Sequence, residues 1–323
     1  MPRSRPRTPP ADGRRRAPRS RPRPVAGRGV DLGADIAALV RACDVPLMAA
    51  TALSARGEPE ARWTTFRLRF ADGQVCKAVR LSTPAHAEVV HALSRRLSLF
   101  GVPPVLARSG CALLVPWIEG RALDSLPCTP HLARRCGALQ GRVHSRRLEQ
   151  SDGRRTHDAV ERWHRALADG LETLVRAGVL GERDAERAHR AARRYAPRRW
   201  RRGFMLGDFC AENVVLRRSG ELCVIDNETL EIGPCDYDLA RTWYRWPMSR
   251  RARAAYLDGY AQHRSPRQCI AHFPYWAIAA LVHGALFRQR MRQATAAVPL
   301  QRLRVLLRDL ERGDSPADLI YGS

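Results

Sequence analysis

The apolar period of this 323-residue chain changes to helical at residue 130, which limits it to folds where a strand-rich unit precedes a helical one. Before that point Phe66, Leu68 and Phe70 alternate with Arg67 and Arg69, and Asp72-Gly73 supplies a hairpin turn. Val75, Lys77, Val79 and Leu81 then share one face of the return strand. Thr83 followed by Pro84 marks a helix start, and the helix is expected to run to Leu97. Two more strands are expected at 104–108 and 111–116, around Ser109-Gly110, and Pro116 to Gly120 reads as a connector. A short helix over 33–44 precedes this unit.

From residue 130 apolar positions recur at helical spacing. Helices are expected at 130–149, 156–178 and 182–195, the second with Trp163, Leu167, Leu171 and Leu174 on one face. A compact β insertion follows at 203–206, 213–217 and 221–225, turning at Ser219-Gly220, and helices resume from Tyr237 to the end. The expected architecture is α+β and bilobal, with a small N-lobe over 30–118 and a helical C-lobe over 119–323.

Charge sets residues 1–29 apart: ten arginines, seven prolines and a single acid, Asp12. That segment cannot bury apolar surface, so it is expected to be a disordered basic tail able to contact polyanions non-specifically. Nine cysteines without a CxxC pair point to reduced thiols in a cytoplasmic protein rather than a metal cluster or disulfide framework. The longest apolar run, Phe273 to Phe287, is too short to span a bilayer. P-loop, H-E-x-x-H and G-x-S-x-G signatures do not occur. Tyr237, Trp243, Tyr244 and Trp246, with Arg241 and Arg245, sit at helical spacing. They are expected to be core aromatics with snorkelling arginines rather than a base-stacking surface.

The chemistry concentrates between Gly207 and Asp226. Asp208 and Asn213 lie five residues apart on a loop between strands, and Asp226 ends the apolar strand Leu222-Cys223-Val224-Ile225. A hairpin would bring the three to one rim, where oxygen ligands of this type suit Mg²⁺ on substrate phosphates. Lys77 adds a cation of a distinct kind: the chain has 55 arginines and this one lysine. Arginine does not replace lysine where a compact ammonium must reach phosphate oxygens.

The segment Gly207 to Arg241 resembles the aminoglycoside phosphotransferase and choline kinase-like family, which shares the protein-kinase fold. The matching residues are Gly207-Asp208-Phe209 with Asn213, then Ile225-Asp226-Asn227-Glu228, then Tyr237-Asp238-Leu239-Ala240. The resemblance implies ATP and Mg²⁺ as cofactors and transfer of the γ-phosphoryl group to a hydroxyl of a small molecule. It makes Asp208 the catalytic base, Asn213 and Asp226 the metal ligands, and Asp238 a buried carboxylate bonding the catalytic-loop backbone. Lys77 would orient the phosphates with Glu88 as ion-pair partner, and Val115, Trp117 and Ile118 of the hinge would hold adenine. Two positions depart from the family pattern: Leu206 stands where histidine is usual, and only Gly57 represents the glycine loop between Ala49 and Thr65. A catalytically silent kinase-like protein that binds nucleotide or a partner is the alternative. Glu212, Glu228 and Glu231 would suit a cationic acceptor such as an amino sugar or amino alcohol, while the net charge of +24 argues equally for an anionic one.

Overall fold

The computed structural model describes residues 31–53, 65–149, 157–291 and 297–321. The basic tail and the Gly57 segment lie outside the described residues.

The N-lobe is a five-stranded antiparallel sheet in the order β1-β2-β3-β5-β4, from β1 (Leu47–Ala52), β2 (Thr65–Phe70), β3 (Val75–Arg80), β4 (Ala107–Ser109) and β5 (Ala112–Pro116). Two-residue alternation gives this sheet two different faces. Phe66, Leu68, Phe70, Cys76, Ala78, Ala112 and Leu114 pack against Ile36 and Leu39 of α1 (Gly33–Arg41). On the other face Val79 and Leu113 join Ala87, Val90, Leu93 and Leu97 of α2 (Pro84–Leu97) in the main core. Lys77 lies on this second face, in register with Arg67 on one side and Val115 on the other. The α2 start is as expected: Thr83 Oγ1 accepts from the His86 amide at 3.1 Å, and Pro84 opens the first turn. Helix α1 stops at Arg41, three residues short of its expected end, with Ala42 as its C-cap.

Strand β5 runs through Trp117 to Gly120 into the C-lobe. There α3 (Pro130–Ser145), α4 (His157–Arg176) and α5 (Glu182–Tyr195) precede the segment 207–226. Helix α3 ends at Ser145 rather than 149, where Arg146 turns to an extended conformation. Strand β7 (Arg202–Met205) pairs with β10 (Glu231–Pro234), and β6 (Arg121–Ala122), β8 (Val214–Leu216) and β9 (Leu222–Val224) form a second small sheet. Helices α6 (Cys235–Arg245), α7 (Arg250–Ala261), α8 (Arg267–Ala271), α9 (Phe273–Arg290), α10 (Ala297–Glu311) and α11 (Pro316–Tyr321) complete the lobe.

Helix α9 is buried continuously from Phe273 to Val282, which explains an apolar run without amphipathic period. No described helix is long and apolar enough to cross a membrane. Helices α3 and α7 cross at backbone contact. A Cβ on Gly137 would sit 1.9 Å from the Tyr256 carbonyl oxygen, and one on Gly259 equally close to that of Arg134. All nine cysteines are free, six of them buried. Two short strands carry no readable period: β1 is a half-exposed edge, and β6 spans two residues.

Candidate functional site

The segment that carries Asp208 starts where β7 ends, and its backbone is held from three sides. Asp238, buried in the first turn of α6, accepts the Leu206 amide on Oδ2 and the Gly207 amide on Oδ1, both at 2.9 Å. His144 of α3 places Nε2 2.9 Å from the same Oδ2, with Nδ1 2.8 Å from the Tyr260 hydroxyl. Burial pushes the His144 pKa down, so the ring is neutral and orients the carboxylate through one N–H. Thr229 donates its hydroxyl to the Leu206 carbonyl at 2.8 Å. Gly207 has φ +72°, and a Cβ there would meet Thr229 at 2.6 Å, so only glycine fits this turn. Leu206 itself is buried in the core.

Asp208 emerges from that turn partly exposed. Arg241 Nη2 donates to its Oδ1 and Arg245 Nη2 to its Oδ2, each at 3.1 Å, and Asn213 Nδ2 lies 3.2 Å from Oδ2. Tyr237, Trp243 and Trp246 are buried in the core as expected and Tyr244 packs partly buried against it, with Trp243 Nε1 donating to the Ile320 carbonyl at 2.6 Å. The two arginines are not snorkelling: one helical turn apart on α6, they converge on Asp208 and fix its orientation. Arg245 also lies 3.7 Å from Glu212. Cys210 beside this pair is buried, its thiol pushed up to about 11 by burial and then by the Asp208 charge, so it is no nucleophile.

Asn213 donates again to the Asp208 carbonyl at 3.0 Å, which leaves its Oδ1 as the free acceptor of the amide. Its own carbonyl accepts the Ile225 amide at 2.8 Å and so joins the Asn213 loop to the approach of Asp226. Asp226 has φ +58°, the one positive φ among described non-glycine residues, and caps the 3₁₀ turn 227–229. Its carboxylate is half-exposed. An aspartate carboxylate and an amide oxygen are hard donors of the kind that Mg²⁺ takes.

Lys77 reaches this rim from the other lobe. Its Nζ bonds Asp226 Oδ1 at 2.5 Å and also Glu228 Oε1. Burial pulls the lysine pKa down, but Glu228 and then Asp226 push it up further, and the net shift is upward. The expected partner, Glu88, does not take that place: it is exposed on α2, and no ion pair joins it to Lys77. Position 88 follows Ala87, which lies on the buried stripe of α2, so its side chain turns about 100° away from that stripe.

At the hinge, the Trp117 amide donates to the Val75 carbonyl at 3.0 Å, and Arg67 stacks 4.8 Å over the indole. Val115 packs on the main core, and Ile118 is half-buried. Of the acids expected near the acceptor, Glu212 faces Arg245 and Glu228 holds Lys77. Glu231 keeps solvent contact at the start of β10, and desolvation followed by the Asp238 charge raises its carboxyl pKa. Sequence reading did not find His144, Arg241 or Arg245 as parts of the site, nor Gln140, whose Nε2 lies 3.4 Å from Asp238 Oδ2. The i,i+4 pair of arginines just after Tyr237-Asp238 was the available signal for the last two.

The model of the phosphotransferase enzyme family matches residues 54–271. Three solved structures share the fold. A macrolide 2′-phosphotransferase from Brachybacterium faecium is 16% identical, with 75% of this chain and 87% of that chain covered and a TM-score of 0.52. A choline kinase from Cryptosporidium parvum is 11% identical, with 87% and 93% covered and a TM-score of 0.57. An amicoumacin kinase in complex with AMP-PNP, Ca²⁺ and Ami is 13% identical, with 83% and 89% covered and a TM-score of 0.58. At these identities the likeness is one of fold. No curated protein sequence matches the chain.

Proposed function

Because the chain belongs to the phosphotransferase enzyme family, we propose that it transfers the γ-phosphoryl group of ATP to a hydroxyl of a small molecule in the cytoplasm. One observation carries this reading: Lys77, from the N-lobe sheet, meets Asp226, from the C-lobe turn, on the rim that also holds Asn213 and Asp208. A phosphate-gripping ammonium, two oxygen ligands and a base are what phosphoryl transfer needs within one cleft. The bound AMP-PNP and Ca²⁺ of the amicoumacin kinase support a nucleotide and a divalent cation here.

In this reading Asp226 and Asn213 Oδ1 would hold Mg²⁺, which supplies charge neutralisation on the phosphates when bound. Lys77 grips the α/β oxygens, and Val115, Trp117 and Ile118 flank the adenine. Asp208, oriented by Arg241, Arg245 and Asn213, accepts the proton of the attacking hydroxyl at its carboxylate. Asp238 and His144 keep the Leu206-Gly207 backbone fixed, so Asp208 needs no reorganisation at the moment of transfer. The acceptor would bind over the C-lobe, near Glu212 and Glu231.

A catalytically silent nucleotide-binding role has one observation in its favour: both Asp208 oxygens are already engaged by arginines. A panel of amino sugars, amino alcohols and anionic alcohols, assayed for ADP release with Mg·ATP, separates the two. Acceptor-dependent release that disappears in Asp208→Asn supports transfer; nucleotide binding without release across the panel refutes it.

A further inference from the structure

We infer that Glu228, on the C-lobe turn after Asp226, is the positioning residue for Lys77, in place of a glutamate on the N-lobe helix. The inference rests on the phosphotransferase reading above for its functional meaning, and on geometry alone for the contact.

Two carboxylates meet Lys77 Nζ, and they differ in setting. The Asp226 side chain is 47% exposed and that of Glu228 24%, against 13% for the lysine. Water screens the Asp226 contact more, so Glu228 provides the better-shielded anchor. The turn that carries Glu228 is also tied down around it. Asn227 Nδ2 donates to the Val224 carbonyl at 2.9 Å, the Leu230 amide to the Asn227 carbonyl at 3.2 Å, and Thr229 to the Leu206 carbonyl. Glu88 has none of this: it is exposed on α2, and no ion pair joins it to Lys77.

The arrangement divides labour between two acids two residues apart. Asp226, on its left-handed backbone and half open to solvent, is available to a cation. Glu228 keeps hold of the ammonium when Asp226 is engaged elsewhere. Lys77 is thereby anchored across the lobes by a contact 151 residues away in sequence.

The chain's single lysine makes the test site-specific. An amine-reactive reagent applied to the full-length, nucleotide-free protein modifies only Lys77 and the chain terminus, which peptide mass spectrometry separates. Glu228→Gln is expected to accelerate Lys77 modification by about threefold or more, while Glu88→Gln leaves it unchanged. With Mg·ATP, Glu228→Gln is expected to raise the nucleotide KM by about fivefold with a smaller change in acceptor KM, and Glu228→Asp to recover part of that loss. Equal modification rates in wild type and Glu228→Gln, or acceleration by Glu88→Gln instead, overturn the inference.

If Glu228→Gln folds poorly, the wild type and Glu88→Gln labelled with ¹⁵N at the lysine side chain serve in its place. A single ammonium signal sheltered from solvent exchange in both supports the pairing, and its loss in Glu88→Gln refutes it. Modification rates that behave as expected in a protein that neither binds Mg·ATP nor releases ADP would leave the pairing standing and remove the phosphotransferase reading.

Discussion

Replacing Asp238 by asparagine tests how the Leu206-Gly207 backbone is held, and the cost follows from the bond geometry. Oδ1 accepts the Gly207 amide alone, while Oδ2 accepts the Leu206 amide and faces His144 and, at 3.4 Å, Gln140. Asparagine has one oxygen, so the less costly orientation keeps it at the Oδ2 position and turns the amide nitrogen toward the Gly207 N–H. That loses one charge-assisted bond of about 1.5–3 kcal/mol and leaves a buried donor unpaired, while the remaining bonds weaken with loss of the charge. The sum is about 3–5 kcal/mol, the range for breaking a buried charged contact. At roughly 2–4 °C per kcal/mol for a chain of this size, the melting temperature should fall by about 10 °C. Thermal melts followed by tryptophan fluorescence, paired with urea titrations, measure it. Acceptor-dependent ADP release should fall in kcat more than in the KM for ATP, since Asp208 rather than the nucleotide loses its support. A loss below about 1 kcal/mol would refute the reasoning, because it would mean that the loop does not depend on this carboxylate.

Further expectations follow from packing and buried charge. Gly259→Ala places a methyl group against the Arg134 carbonyl, where α3 and α7 touch, and should cost about 3 kcal/mol or abolish soluble expression; wild-type stability in urea would contradict that account of the helix crossing. Burial raises the Asp236 pKa to about 6, so the folded state retains a proton there that the unfolded chain has lost, and stability falls as pH rises toward 6. Burial lowers His283 to about 4 and also lowers His144, so stability falls in the opposite sense as pH drops below about 6.5. The two effects offset one another in the wild type between about pH 4 and 6. Asp236→Asn should therefore gain up to about 3 kcal/mol at pH 8 and expose a stability that climbs with pH from 4 to 6.5. Urea denaturation at pH 5 and pH 8 measures both; a variant less stable than wild type at pH 8 would contradict the burial argument.

What was legible in the sequence was what local chemistry determines. Thr83 and Pro84 fixed the start of α2, Asp72-Gly73 the β2-β3 hairpin, and the 207–226 spacing the loop that carries Asp208, Asn213 and Asp226. Strand β1 was not legible, because Leu47–Ala52 is a half-exposed edge whose small residues show no alternation. Partners distant in sequence were equally hidden. His144 reads as one more residue on the buried face of α3, and only the folded chain brings it to Asp238. Arg241 and Arg245 read as snorkelling arginines beside core aromatics, yet α6 turns them onto Asp208. Glu88 had the right residue type on the right helix, but the face of α2 it occupies points outward, and Glu228 stands nearer Lys77. Residue type and spacing identify candidates, whereas the pairing of charges is decided by the close approach of the lobes.

The proposed Mg·ATP site lies between Lys77 of the N-lobe and Asp226 of the C-lobe. Thermal stabilisation by ATP with and without Mg²⁺, in wild type, Lys77→Ala and Asp226→Ala, tests it most directly. Ligand at about a hundred times its dissociation constant contributes about 2.7 kcal/mol, so the wild type should melt roughly 5–10 °C higher with Mg·ATP. Both variants should lose most of that shift. A wild type without a Mg²⁺-dependent shift, or an undiminished shift in Asp226→Ala, would contradict the account.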